Sequence, residues 1–261
     1  MSFTFILIGL VLSVLVGGLV VSYFNATNNG QMIKLTLAFS GGFLLAIIFQ
    51  HLMPDLYHED GGKVGLFILI GFLIQLILEY FSGGIEHGHV HIHKGQALPW
   101  ALFISLSVHS IIEGLPLGNQ YAGVISAHNH AHESLFWGII FHQIPVSIAL
   151  MTLLISTRMS MMKSWLILLL FALMTPIGAV LGLQFSPEQF GLDVHIILAI
   201  VVGMFLHIST TIIFETSIVS SEIVSSYIIV VSKCNHNLIN HIFVLTMHRS
   251  FLARSFRVLF I

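Results

Sequence analysis

Charge is what this sequence has least of. Lys, Arg, Asp and Glu together make up 8% of its 261 residues, against about 25% in an ordinary soluble domain. A chain that is 56% hydrophobic and so poor in charge reads as an integral membrane protein. The net charge of −2 leaves no basic face for nucleic acid. Cys234 is the only cysteine, which excludes an internal disulfide and any Cys-x-x-Cys metal knuckle. There is no Gly-rich loop ending in Lys-Ser or Lys-Thr, so solute movement is not driven by nucleotide hydrolysis on this chain. Against this poverty histidine stands out, with 16 His beside 9 Lys and Arg combined, and imidazole is the commonest metal-ligating side chain.

Roughly 20 mostly apolar residues cross a bilayer as a helix. Seven runs meet that length, at about 3–24, 34–53, 64–81, 97–118, 134–155, 164–185 and 194–214. No positive charge precedes the first run, so it reads as a span and not a signal peptide. The tail, about 216–261, supplies no clean run. Residues 227–231 are apolar but short, His241 breaks 238–247, and Arg249, Arg254 and Arg257 follow. It reads as an incomplete eighth span or a basic helix lying at the interface. The expected architecture is all-α, one transmembrane domain over 1–261 with seven spans and an unsettled eighth. An outside N-terminus puts Lys34, Lys94, Arg158, Lys163 and Lys233 inside and only Lys63 outside, as the positive-inside rule prefers. That topology makes the His-rich loop at about 84–96 cytoplasmic, with His87, His89, His91 and His93. It makes the loop carrying His128, His130 and His132 external. Both clusters read as weak, fast-exchanging metal capture, with plain solvated linkers as the blander alternative.

The fourth run carries His109-Ser-Ile-Ile-Glu113-Gly-Leu-Pro116. A charge at membrane depth costs roughly 2.5–3.5 kcal/mol and needs a partner. His109 and Glu113 are four residues apart and share one helix face, which makes half of a metal site. The fifth run offers His142-Gln143-Ile-Pro145. Pro116 and Pro145 each deny the chain one helical hydrogen bond, freeing the carbonyls of Ile112 and Phe141 beside the candidate ligands. Such broken backbone is tolerated at depth where it lines a cavity. A short loop makes the two runs antiparallel neighbours, so His109, Glu113 and His142 can converge on one ion. Ser110 and Gln143 are auxiliary oxygen donors. Two imidazoles and a carboxylate suit zinc, and also iron, manganese or cadmium. His51 and Asp55 at the end of run two, and His207 and Glu215 on run seven, are candidates for the metal's way in and out. Taken singly, His207 reads first as a helix–helix hydrogen-bond partner, and Glu79 as an interfacial, solvated acid. A multi-span, zinc-dependent membrane hydrolase would use similar ligands, but no His-Glu-x-x-His is present.

These segments resemble the ZIP (Zrt/Irt-like) family of divalent-metal transporters. The resemblance is carried by His109-Ser110-x-x-Glu113-Gly114, by His142-Gln143-Ile-Pro145, and by Gly41-Gly42-Phe43 through His51-Leu-Met-Pro54-Asp55. Pro176-Ile-Gly178-Ala-Val-Leu-Gly182 and Gly203-Met-Phe-Leu-His207 carry it further. It implies inverted three-helix repeats around helices 4 and 5, import of a divalent metal, and a homodimer in the cell membrane of a bacterial type. Binuclear relatives have an acid where Gln143 stands and a further ligand where Val146 stands, so the resemblance implies one bound ion here. Ligation by neutral imidazoles implies that uptake falls as pH drops through the histidine range.

Overall fold

The computed structural model describes residues 2–24, 30–59, 63–82, 100–122, 129–157, 159–184 and 194–217. His87, His89, His91, His93, His128, the loop at 84–96 and the tail beyond 217, with its question of an eighth span, lie outside the described residues.

Every regular element among the described residues is helical. In order they are α1 (Phe3–Phe24), α2 (Gly30–Ile47), a π-helical turn (Ile48–Leu52), α3 (Met53–Glu59), α4 (Val64–Ser82), α5 (Trp100–Tyr121), α6 (Asn129–Ser156), α7 (Met161–Ala172), α8 (Met174–Gln184) and α9 (Val194–Ser217). In hydrocarbon no water can satisfy a backbone amide, and a helix satisfies its own. Seven stretches among the described residues are long and apolar enough to cross a membrane, and each overlaps one of the seven runs read from the sequence. Their outward faces are apolar as lipid requires, for example Phe5, Ile8, Leu12, Val16 and Leu19 along one side of α1.

Two spans depart from straight rods. The second run was expected to end about residue 53, before Pro54. The helix instead passes through Pro54 to Glu59. Pro54 has no N–H and its ring collides with the carbonyl one turn back. The preceding turn widens to make room, with the Met53 N–H bonding the carbonyl of Ile48. The sixth span breaks at Leu173, three residues before Pro176, into α7 and α8.

Helix α1 packs on α6 and α7, and α5 on α8; α4 and α2 pack on α9; the two groups meet along α2–α6 and α4–α5. The tightest crossings are lined by glycine. A Cβ on Gly114 would lie 2.2 Å from the Thr175 carbonyl oxygen, and one on Gly178 2.1 Å from that of Ile111, so α5 and α8 touch backbone to backbone. Gly71 and Gly203 do the same for α4 and α9, where a Cβ on either would lie 1.9 Å from a carbonyl oxygen of the other helix.

The apolar core falls into two main clusters, one toward each end of the bundle. Leu10, Leu52, Leu117, Leu135, Ile139 and Leu198 belong to one, and Val14, Leu106, Val146, Leu150, Leu168 and Phe171 to the other. Between them on α5, from Leu106 to Leu117, lie His109, Ser110 and Glu113; between them on α6, from Ile139 to Val146, lie His142 and Gln143. The fold therefore holds a buried polar layer between two apolar plugs.

Candidate metal centre

The polar layer sits halfway along its helices. His109 is near the middle of the 22-residue α5 and His142 near the middle of the 28-residue α6. Pro116 and Pro145 both lie inside their helices. His109 (2% exposed), Glu113 (1%) and His142 (1%) are withdrawn from the surface. One ligand atom from each lies within 4.8 Å of the other two. His109 Nε2 is 3.6 Å from Glu113 Oε2, as their spacing of four on α5 requires. The His109 and His142 rings meet edge to face with centroids 6.0 Å apart, and the Phe205 ring of α9 has its centroid 6.4 Å from that of His142. An acid and two imidazoles enclosed by Phe205 and the apolar plugs form a donor set for a borderline divalent cation.

The layer is braced from behind. Gln75, fully buried in α4, places Oε1 2.9 Å from His109 Nδ1. Gln143 joins three helices: its Oε1 accepts from Ser13 of α1 at 2.8 Å, and its Nε2 donates to Thr175 of α8. Ser105 Oγ donates to the Leu78 carbonyl at 2.5 Å, a second polar link between α5 and α4.

The other residues singled out from the sequence are dispersed. Ser110 is buried beside His109. His51 lies in the π turn and Asp55 in α3, both half-buried. His207 is buried in α9, and its Nε2 hydrogen-bonds Glu79 Oε2 of α4. Glu79, read as a solvated interfacial acid, is thus a helix–helix partner, with its side chain 21% exposed. Glu215 falls in the last turn of α9, and His130 and His132 in the first turns of α6.

Sequence reasoning passed over Gln75, Asn119 and Gln120. The carboxamides of Asn119 and Gln120 are buried with no hydrogen-bonding partner among the described residues. Gln120 follows Glu113 by seven residues, on the same helix stripe and about 10 Å farther along the axis. The signal for Gln75 was present: it is the only amide in the run at 64–81, and a polar side chain at that depth is costly without a task.

The fold is that of a multi-pass membrane protein, and the three gathered donors are of the kinds that could hold a divalent cation. The family model described as ZIP Zinc transporter matches residues 83–246, well over half of the chain. The chain belongs to this family. It is similar to Protein zntD of Dictyostelium discoideum, 33% identical over 119 residues, which are 41% of this chain and 16% of zntD. It is also similar to Zinc transporter ZIP1 of Danio rerio, 23% identical over 274 aligned positions, covering 83% of this chain and 89% of that protein. The family is one of transporters and not of enzymes, which sets the membrane-hydrolase reading aside.

Proposed function

We propose that the chain imports divalent metal, with zinc as its cargo, through a single site made by His109, Glu113 and His142. The observation that carries this reading is the meeting of three buried donors, each within 4.8 Å of the others, in the polar layer between two apolar clusters. A hydrated cation comes from outside past the half-buried His51 and Asp55 and the buried carboxamide of Gln120. It sheds water and exchanges it for two imidazoles and a carboxylate. The carboxylate that is costly at this depth when empty offsets the cation's charge when loaded. Ser110 is an auxiliary oxygen donor. Gln143 serves the framework, since its amide is already bonded to Ser13 and Thr175. A neutral amide at 143 and an apolar Val146 support one ion and not two.

Release is toward the cytoplasm, past His207 and Glu215, where the histidines at 87–93 receive the ion. The histidines at 128, 130 and 132 gather it outside, and two copies assemble in a cell membrane. Protons compete for both imidazoles, so uptake declines as pH falls through the range in which histidine ordinarily protonates. The test is zinc uptake into vesicles reconstituted with His109→Ala, Glu113→Ala and His142→Ala. Each is expected to abolish flux while the protein stays folded, and uptake at the wild-type rate by any of them removes that residue from the site.

A further inference from the structure

His109 presents two nitrogens, and they face different partners. Nδ1 lies 2.9 Å from Oε1 of Gln75. Nε2 lies 3.6 Å from Oε2 of Glu113. A carboxamide oxygen only accepts, so the proton of the first contact sits on Nδ1. A neutral imidazole carries one N–H, and Nε2 then presents a lone pair. That lone pair is turned to a carboxylate oxygen in a site about 98% withdrawn from solvent. A cation placed between that lone pair and the carboxylate would be attracted by both. With the opposite tautomer, Nε2 would turn an N–H and not a lone pair toward Glu113.

Gln75 is held in place for this task. It is 0% exposed on α4. Three residues further on, the Leu78 carbonyl accepts from Ser105, which lies one turn before His109 on α5. The two bonds run in register along the antiparallel α4–α5 seam and fix the distance from Gln75 to the His109 ring.

We propose that Gln75 is a positioning residue of the metal centre: by accepting from Nδ1 of His109 it selects the tautomer whose Nε2 faces Glu113 as a metal ligand. The proposal rests on the reading of His109 as a ligand. Partners behind a metal-bound histidine fix ring orientation and raise ligand basicity, and losing one typically weakens metal affinity about 10- to 100-fold. Gln75→Leu keeps the volume and removes the acceptor. Gln75→Glu keeps an acceptor at the same reach.

The experiment uses the full chain in detergent and in vesicles, with zinc ion as the probe. Gln75→Leu is expected to raise the zinc Kd and the KM for uptake by about 10- to 100-fold, with little change in maximal rate. Gln75→Glu is expected to restore affinity to within a few-fold of wild type. Nitrogen-15 spectra of labelled histidine in chelator, with the His109 signals assigned by their loss in His109→Gln, read the tautomer directly. Wild type is expected to show protonated Nδ1, and Gln75→Leu to lose that preference. Wild-type affinity in Gln75→Leu overturns the proposal. So does a His109 protonated at Nε2 in wild type, and so does equal loss of zinc affinity and thermal stability in both variants, which would mark a packing role alone. Wild-type zinc binding by His109→Ala would instead overturn the ligand reading itself, whatever Gln75 does.

Discussion

Glu79 and His207 clasp α4 to α9 through a hydrogen bond between Oε2 and Nε2. Phe72, two turns before Glu79 on α4, sets its ring edge-on to His207 at 4.6 Å and 89°. His207 lies one turn beyond Gly203, where the two backbones touch. The clasp and the glycine contact thus brace the same pair of helices. Hydrogen bonds between membrane helices are worth about 0.6 kcal/mol on average and up to about 1.7. His207→Ala is expected to lower stability by about 1 kcal/mol in detergent unfolding titrations. Unchanged stability would contradict the clasp, and lost zinc uptake beside it would leave His207 its place on the metal's route alone.

The α5–α8 crossing makes a sharper demand. A methyl group on Gly114 would sit 2.2 Å from a backbone oxygen and 2.8 Å from the Ala179 nitrogen, neither of which can swing aside. At Gly138 the same methyl meets only the tips of Ile47 and Leu44, at 3.3 and 3.5 Å. Gly114→Ala is expected to destabilise by about 1–3 kcal/mol or more and to misplace Glu113, its neighbour in sequence. Gly138→Ala is expected to change stability by well under about 1 kcal/mol. Thermal melts of the two variants side by side check the contrast, and equal melting temperatures would contradict the crossing geometry.

Gln143 gives a prediction of the opposite kind, a residue inside the centre whose loss leaves the centre's chemistry intact. Gln143→Leu deletes the bonds to Ser13 and Thr175 and leaves two hydroxyls to find new partners. Ser13 also has the Leu10 carbonyl at 2.7 Å, so most of the cost falls on Thr175, about 1–3 kcal/mol. Zinc stoichiometry of one per chain and zinc affinity are expected to survive. Equilibrium dialysis beside a thermal melt separates the two effects, and loss of zinc binding at full stability would restore Gln143 to the ligand set.

These cases show what a linear sequence reveals and where it stops. Span positions were legible because the bilayer imposes one length and one composition on every crossing segment, and the His109–Glu113 pair because spacing by four is a helix neighbourhood. Pro54 misled, because proline is a helix terminator unless the turn before it widens, and nothing local announces that widening. Glu79 misled because an acid near a span end has water within reach by default; its partner His207 is 128 residues away and only the fold brings them together. Gln75 was visible as an anomaly but without a task until its oxygen was seen against Nδ1 of His109. The glycines at 114 and 178 were noted in motifs, yet their reason is a pairwise backbone contact that no single helix contains.

Glu113 gives the most discriminating stability experiment, because on the proposed reading a bound ion reverses the sign of its contribution. Its carboxylate is 1% exposed and 3.6 Å from an imidazole nitrogen. Without metal, a buried charge opposes folding, and Glu113→Gln removes that charge at nearly constant volume. In chelator the variant is therefore expected to melt at or above wild type. With zinc at about 100 times its Kd, wild type gains about 2.7 kcal/mol by mass action and the variant, lacking the anionic ligand, gains little. The two melting curves should cross over when zinc replaces chelator. A carboxylate kept for packing or helix contacts would instead leave Glu113→Gln less stable than wild type in both conditions, with the same shift on adding zinc.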